Sequence, residues 1–420
     1  MHTTTTARRP LSDMQLSMLA HEALEELPIY TMPLCFALTG PVDTTALARA
    51  LHHVVRRHPA LGSLYDGGEA EPLGGATAPP ELLLTTTEAA PGTVPPEAAT
   101  VWETPFALHE QTPVRAALVS AAPDRHHLAL AVHHVAGDSV ALSLLLRDLG
   151  AAYAALLRGE RPDDTPAPDF FDHARRERNR SWDTSWWQER LRGVRPRPYP
   201  RRQPPPEAER CTRVSVDLAL DATDTRGVKE LARRLRVTPS AVLLAAVGRT
   251  VADTAPGAER ESVIGLPTAL RDTPELRSTV GPLLNTLPVR TRWDADAAPG
   301  DVVRAHAAAL DASLAHKEVP YSHIVKASGA PRSLDAAPLF LHVVNIDSEP
   351  LRLRLPGARC GHVPVPRRWV VFPAHWEFGC PPVGNLRGEL RVSADAFTAS
   401  QAAGLATAFR SSLTELLQAP

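Results

Sequence analysis

The spacing of apolar residues changes between helical and strand periods along the first half of the chain. Leu47, Leu51 and Val54 fall three and four residues apart, which predicts an amphipathic helix. The run from 126 to 134 has the length and apolar character of a buried strand. The apolar segment that follows it, 138 to 159, predicts a long helix.

The second half shows the same mixture of patterns. Thr238 is a predicted N-cap, with Pro239 in the first turn of its helix. Helices are predicted at 221–237, 238–254, 301–316 and the C-terminal end, and strands at 261–270, 285–293, 338–346 and 389–397. Both halves therefore belong to the α/β (α+β) class.

A proline- and arginine-rich segment, 192–210, separates the two halves, because clustered prolines interrupt regular structure. The predicted organisation is an N-terminal lobe at 1–191, a linker at 192–210 and a C-terminal lobe at 211–420. A second proline- and glycine-rich stretch, 66–96, predicts an irregular excursion within the first lobe.

Composition narrows the possible functions. The chain has 420 residues, 44% of them hydrophobic, and a formal net charge of −2. This length and apolar content allow two large cores, and the near-neutral charge argues against nucleic-acid binding. The four scattered cysteines, the lack of a signal-peptide pattern and the lack of a long apolar run predict a cytoplasmic protein that does not span a membrane.

The segment from His133 to Ser139 carries the candidate chemistry. Alternation along a strand would place His133 and His134 on opposite faces, and the strand is expected to end at Gly137. Asp138 or Ser139 would then cap the next helix. A histidine between a strand end and a helix start is suited to proton transfer, although this segment alone favours a purely structural role.

Other kinds of site fit the sequence less well. Histidine pairs occur at 52–53, 126–127 and 133–134, but adjacent residues diverge and no HExxH motif is present, so no metal site is predicted. A serine hydrolase built on the GDS triplet would need a downstream Asp-x-x-His, and the match at 124–127 lies upstream. Glycine-rich phosphate-binding loops are also missing from the sequence.

The His133–Ser139 segment, HHVAGDS, resembles the HHxxxDG signature of condensation domains of nonribosomal peptide synthetases, within the chloramphenicol-acetyltransferase-like acyltransferases. Companion segments similar to that family's blocks follow in the family's order: LSDMQLSMLA (11–20), ALHHVVRRHPALGSLY (50–65), TPFALHEQTPVRAALV (104–119), LPTALRDTPELRSTVGPLLNTLPVR (266–290), LAHKEVPYSHIVKA (314–327) and RSLDAAPLFLHVVN (332–345).

The resemblance implies two chloramphenicol-acetyltransferase-like lobes in a V-shaped pseudo-dimer with a central tunnel. It implies that an amine or alcohol attacks a carrier-bound acyl or aminoacyl thioester to give an amide or ester. His134 would take or orient the proton of the nucleophile, and His133 would support the strand end. Asp138 would pair with Arg271 as structural support, and Asn285 would border the tunnel and contact substrate.

Several positions depart from the family pattern. Ser139 replaces the motif glycine, and together with Gly137 it is predicted to line the substrate site, its backbone N–H being a candidate oxyanion donor. Gly62 stands where the family has Arg, and Leu283 where it has Phe. Residues 376–378, Trp-Glu-Phe, replace a common Phe-Asp-Leu.

We therefore expect a free-standing, monomeric condensation enzyme of antibiotic-type natural-product biosynthesis. It would bind no metal or cofactor itself, because the acyl group would arrive on the phosphopantetheine arm of a carrier protein in trans. An acyltransferase that uses acyl-CoA and a non-catalytic carrier-binding module stay open as alternatives. An acidic carrier could dock on a run of arginines at positions 190, 192, 195, 197, 201, 202, 210 and 213.

Overall fold

The computed structural model describes residues 8–72, 80–88, 93–195, 197–200, 206, 209, 211–254, 260–330, 336–347, 351–365, 367–381 and 384–418. The helices are α1 (Asp13–Glu25), α2 (Thr44–Arg57), α3 (Ala99–Glu103), α4 (Ser139–Leu157), α5 (Phe170–Arg178), α6 (Ser185–Arg190), α7 (Ala222–Leu235), α8 (Pro239–Thr254), α9 (Pro274–Ser278), α10 (Pro299–Leu314), α11 (Tyr321–Ser328) and α12 (Ala399–Leu417).

The strands are β1 (Arg9–Pro10), β2 (Thr31–Thr39), β3 (Ser63–Asp66), β4 (Glu69–Pro72), β5 (Leu82–Thr86), β6 (Val114–Ala122), β7 (Arg125–His133), β8 (Arg197–Pro198), β9 (Arg213–Asp217), β10 (Glu261–Ala269), β11 (Leu284–Arg292), β12 (Ala336–Ala337), β13 (His342–Asp347), β14 (Arg359–Val363), β15 (Ala374–Gly379) and β16 (Arg387–Ser393). The mixed α/β class and the helices and strands predicted in both halves are confirmed. Within 66–96, the described residues include β4 and β5, so this part is more regular than expected.

The chain divides into two compact units whose boundaries cross the sequence. Unit 1 comprises Met1–Ser181, Leu270–Leu284 and Leu351–Arg367, and unit 2 comprises the rest. The predicted boundary at 192–210 does not account for the two later segments of unit 1. Part of that predicted linker, 196, 201–205, 207–208 and 210, lies outside the described residues, as do 332–335 of the final family-like block.

Unit 1 is built on a sheet in the order β14-β2-β7-β6-β5. Leu128, Leu130 and Val132 alternate along β7 and face the helices α2 and α4, as expected for a buried strand. By length and composition, α4 would qualify as a membrane span, but 61% of that stretch is buried inside the protein. Its apolar character is therefore used in the core of unit 1.

The two later segments complete unit 1. Strand β14 pairs antiparallel with β2, with Val363 opposite Cys35. Val280 and Leu283 are buried in the same core, which accounts for the apolar residue at the position where the family has Phe. These contacts are the physical reason that both segments join unit 1 rather than the predicted C-terminal lobe.

Unit 2 is built on a second mixed sheet in the order β11-β10-β13-β15-β16-β9. Helices α8 and α12 cover this sheet, and Trp376 and Phe378 of β15 pack against Phe409 of α12. The Trp-Glu-Phe departure thus places its two aromatic residues in the core. Glu377 points to the opposite face and pairs with Arg391 at 3.0 Å.

Two buried histidines stabilise unit 2 in their neutral form. Trp376 Nε1 donates to Nδ1 of His342 at 3.1 Å. Nδ1 of His306 lies 2.8 Å from the carbonyl oxygen of Val302, and its Nε2 lies 3.3 Å from the hydroxyl oxygen of Ser262. Burial lowers the pKa of each imidazole from 6.5 to about 4.

We expect the stability of the protein to fall as the pH drops from about 6.5 toward 4. Below pH 6.5 the unfolded chain binds protons at His306 and His342, whereas the folded chain does not until about pH 4. Each histidine then steepens the loss by up to about 1.4 kcal/mol per pH unit. Urea unfolding between pH 7 and pH 5 measures this slope; His342→Gln should make it shallower, and exposed His109→Gln should not. Equal slopes in all three proteins would contradict the assignment.

The contact between α4 and the segment 351–367 makes a second prediction. A Cβ atom on Gly150 would lie 2.4 Å from the carbonyl oxygen of Arg354, so Gly150→Ala should destabilise the protein by about 1–3 kcal/mol. In the matched control, Gly404→Ala on α12, the new methyl meets no atom within 4 Å and should add about 0.5–1 kcal/mol. Thermal unfolding that ranks Gly150→Ala as the more stable variant would refute the packing of this segment.

Candidate active site

The HHVAGDS segment joins β7 to α4 through a tight turn. The strand ends at His133, four residues before the predicted end at Gly137, and a 3-10 turn spans His134–Ala136. Within this turn the Nδ1 of His133 accepts a hydrogen bond from the N–H of Val135 at 3.1 Å. Strand alternation therefore does not describe His134.

His133 is fixed on both ring nitrogens. Its Nδ1 accepts from Val135, and its Nε2 lies 2.6 Å from Oε2 of Glu22 on α1. An Nδ1 that accepts leaves the proton on Nε2, so Glu22 selects the tautomer of His133. The ring is completely buried, with Phe106 at its edge. Glu22 was missed by the sequence analysis, because a helical glutamate 111 positions away has no local pattern that marks it.

His134 differs from His133 in its exposure and in the hydrogen bonds of its ring. Its ring is partly exposed, and its buried Nδ1 has no hydrogen-bond partner from another described residue. Its backbone N–H donates to the carbonyl of Tyr30 at 2.9 Å, and the Tyr30 ring stands edge-on to the imidazole. Burial lowers the pKa of His134 to about 4, although the carboxylate of Asp138 opposes the shift. The imidazole is therefore neutral near pH 7, and a neutral ring offers one nitrogen as a hydrogen-bond acceptor.

Asp138 and Arg271 form a buried ion pair within unit 1. Arg271 Nη2 lies 2.8 Å and 3.0 Å from the two carboxylate oxygens of Asp138. The remaining guanidinium contacts go to backbone carbonyls, with Nη1 2.6 Å from Leu276 and 2.7 Å from Thr279. Oδ1 of Asp138 also accepts from the N–H of Ala141 and caps α4. Both oxygens of the Asp138 carboxylate are thus engaged in contacts that hold the fold.

Gly137 and Ser139 flank that cap. Gly137 is extended, with φ −175°, and a Cβ there would lie 3.0 Å from the Cβ of Ala141. Ser139 is the first residue of α4, and its side chain is exposed; the cap is Asp138, not Ser139. As in any helix, the N–H groups of the first turn have no intrahelical acceptor, so they can face an anion.

Asn285 lies at the start of β11 in unit 2. Its amide nitrogen donates to the carbonyls of Lys317 at 2.8 Å and Val319 at 2.7 Å. Its amide oxygen accepts from the N–H groups of Thr286 at 2.9 Å and Tyr321 at 3.1 Å. These four bonds use the full capacity of an amide side chain, which favours a role in positioning the segment 317–321 over direct contact with a substrate.

The structure therefore brings most of the predicted site residues together in unit 1: His133, His134, Gly137, Asp138, Ser139 and Arg271. Gly62, a departure from the family pattern, lies in the same unit, where a Cβ would approach the carbonyl of Val55 to 2.8 Å. Among the described residues, no three His, Cys, Asp or Glu side chains meet in a group that could hold a metal ion.

A family model described as "Condensation domain" matches residues 6–355 of this chain. The chain belongs to the condensation-domain family. Condensation domains are acyltransferases that form amide bonds in nonribosomal peptide synthesis. They need no cofactor of their own, because the substrate is carried on the phosphopantetheine arm of a carrier protein.

Individual relatives of this condensation-domain chain agree with the family match. It is 30% identical over 349 residues to a probable non-canonical nonribosomal peptide synthetase, CymA, of Salinispora arenicola, covering 79% of this chain and 4% of the relative. It is 30% identical over 358 residues to the phosphinothricin tripeptide synthetase PhsC of Streptomyces viridochromogenes, covering 79% of this chain and 33% of the relative. The chain thus spans a third or less of the length of these two synthetases.

Among solved structures, the X-domain in a complex with OxyB from teicoplanin biosynthesis superposes with a TM-score of 0.83 and 25% identity, covering 99% of this chain and 94% of that one. The likeness extends over both units of the condensation-domain chain and agrees with the expected acyltransferase-like fold.

The buried ion pair predicts a large and one-sided effect of mutation. Arg271→Met leaves Asp138 buried without its cation and removes hydrogen bonds to the carbonyls of Leu276, Thr279 and Gly281, so it should cost about 3–5 kcal/mol of stability. Arg277→Met changes an exposed arginine of the same segment and should stay within about 0.5 kcal/mol. Urea unfolding measures the free energy of unfolding of both variants. Similar values would show that the ion pair does not contribute to the stability of the fold.

Proposed function

We propose that this chain is a condensation enzyme in which His134 assists the attack of an amine or alcohol on a carrier-bound acyl thioester. The carrier protein acts in trans, and the enzyme works as a free-standing monomer in the cytoplasm. The observation that carries the proposal is the pairing of an immobilised His133 with a neutral, partly exposed His134 at the start of a capped helix.

The proposed step conserves atoms and charge. The acceptor's lone pair attacks the thioester carbonyl carbon while its proton passes to the imidazole of His134. The oxygen that becomes negative is stabilised by N–H groups in the first turn of α4, such as that of Ser139. Collapse breaks the carbon–sulfur bond, and the thiolate of the carrier's arm takes the proton back from His134, giving an amide or ester and a free thiol.

The remaining site residues have supporting roles in this proposal. Glu22 and His133 hold the strand end, so that His134 keeps its position relative to α4. Asp138 and Arg271 hold the helix start, and neither exchanges a proton with substrate. Positioning the two reactants contributes most of the rate, and general-base help from His134 adds roughly 10²–10⁴-fold.

The test is a transfer assay with a separately purified acyl carrier protein and a panel of soluble amines and alcohols. With an alcohol acceptor, His134→Ala should lower the rate by about 10²–10⁴-fold, since the hydroxyl must lose its proton during attack. An amine that is already deprotonated should be less affected. The exposed His109→Ala variant is the matched control and should keep the wild-type rate. Mass spectrometry of carrier and product measures thioester loss and the bond formed.

Each outcome of this assay has a defined meaning. Unchanged ester formation by His134→Ala would remove the proposed role of that histidine. Product formed from acyl-CoA without any carrier would replace the proposal with a CoA-dependent acyltransferase. Tight carrier binding without consumption of thioester would replace it with a binding module.

The binding module is the second candidate function, and one observation favours it. The solved X-domain that resembles this chain over 99% of its length is found in a complex with OxyB, a second protein. A recruiting role would not need a proton acceptor. In that case His134→Ala should leave the affinity for the recruited protein unchanged, whereas Arg271→Met should weaken binding by destabilising the fold.

A further inference from the structure

An open groove of about 680 Å³ lies in unit 2, beside α6, the last residues of β11 and one face of α10. This volume is within the range of about 300–1,000 Å³ that is usual for small-molecule sites. Small side chains of α10, including Ala305 and Ala308, form one wall. The other lining residues are Trp186, Glu189, Thr291 and four arginines, Arg190, Arg192, Arg290 and Arg292.

The groove carries more positive than negative charge. Glu261 pairs with Arg290 and also accepts from Nε of Arg292 at 2.9 Å, so one carboxylate serves two guanidinium groups. Glu189 pairs with Arg192 at the rim. Four arginines thus line the groove, and among the described residues only two carboxylates, those of Glu189 and Glu261, pair with them.

Several hydrogen-bond donors of this groove are buried and unsatisfied. Arg290 is 4% exposed; its Nη1 donates to the carbonyls of Arg190 at 3.0 Å and Arg192 at 2.8 Å, while its Nη2 has no partner among the described residues. Two further atoms are buried and have no partner among the described residues: the hydroxyl oxygen of Thr291, which is 2% exposed, and Nε of Arg190. Buried donors without acceptors are uncommon in folded proteins, and these three belong to residues that line the groove.

We infer that this groove is a binding site for a small phosphate-bearing anion. Guanidinium groups bind phosphate oxygens through paired N–H donors. The groove is lined by residues of unit 2, whereas the His133–Ser139 segment belongs to unit 1, and the inference does not depend on acyl transfer.

The depth of the donors distinguishes this ligand from an acidic protein surface. Arg192 and Arg292 are exposed and could meet carboxylates of a docked helix, in line with the docking face predicted from the sequence. Arg290 is buried, so its guanidinium adds positive charge to the groove without being available to a docked helix. A compact anion that enters the groove would bind the exposed guanidinium groups in that positive field.

The experiment is isothermal titration calorimetry of the full chain with sodium pyrophosphate, with coenzyme A and with an acidic helical peptide, at about 0.15 M salt. Arg292→Gln should weaken pyrophosphate binding by about tenfold, as expected for the loss of one charge-assisted contact. Arg304→Gln removes the same charge from the exposed side of α10 and should leave the affinity unchanged. Circular dichroism verifies that each variant is folded.

Two results would overturn the inference. The first is no binding of pyrophosphate up to about 5 mM, because such an affinity is too weak for a specific site. The second is that Arg292→Gln and Arg304→Gln weaken binding equally. Binding of the peptide without pyrophosphate would overturn it in favour of an acidic protein partner. Coenzyme A that binds more tightly than pyrophosphate identifies an organic phosphate ester as the source of the anion, and similar affinities identify a free phosphate.

Discussion

The ion pair between Arg271 and Asp138 is the contact on which the candidate site depends. It joins residues 133 positions apart, and in doing so it fixes three things at once: the cap of α4, the turn that follows His134 and the segment that carries Arg271. A buried ion pair gains little net stability over apolar packing, but loss of one partner is costly. The pair is therefore better understood as a constraint on geometry, which forces the helix start and the histidine turn to form together.

That constraint allows two adjacent histidines to do different work. His133 is held by Glu22 and by the backbone, so its ring is part of the scaffold. His134 has no such partner on its buried nitrogen, and burial keeps its pKa near 4. The difference arises from the end of β7, since only the first histidine continues the strand. A change of backbone conformation between two identical residues thus separates support from reactivity.

Local patterns were sufficient to predict much of this molecule. The strand before the histidines, the long helix after them and the α/β class follow from hydrophobic spacing, and the motif pointed to Asp138 and Arg271. The crossing of 270–284 and 351–367 into unit 1 could not be predicted, because a short edge strand such as β14 has no pattern that names its partner strand. The roles of Glu22 and Asn285 could not be predicted for the same reason. The contact of Glu22 with His133 and the hydrogen bonds of the Asn285 amide nitrogen join residues that are distant in sequence.

The interleaved boundaries of unit 1 have a consequence for synthesis of the chain. During translation, residues 1–181 leave the ribosome long before the segment that contributes β14, so the β14-facing edge of β2 must wait for its partner over more than half of the chain. Val280 and Leu283 likewise fill their places in the core only after much of unit 2 has been made. Completion of the N-terminal unit is thereby coupled to elongation through the second one, and a chain cut at the proline-rich segment would contain neither a finished first unit nor a closed edge on its sheet.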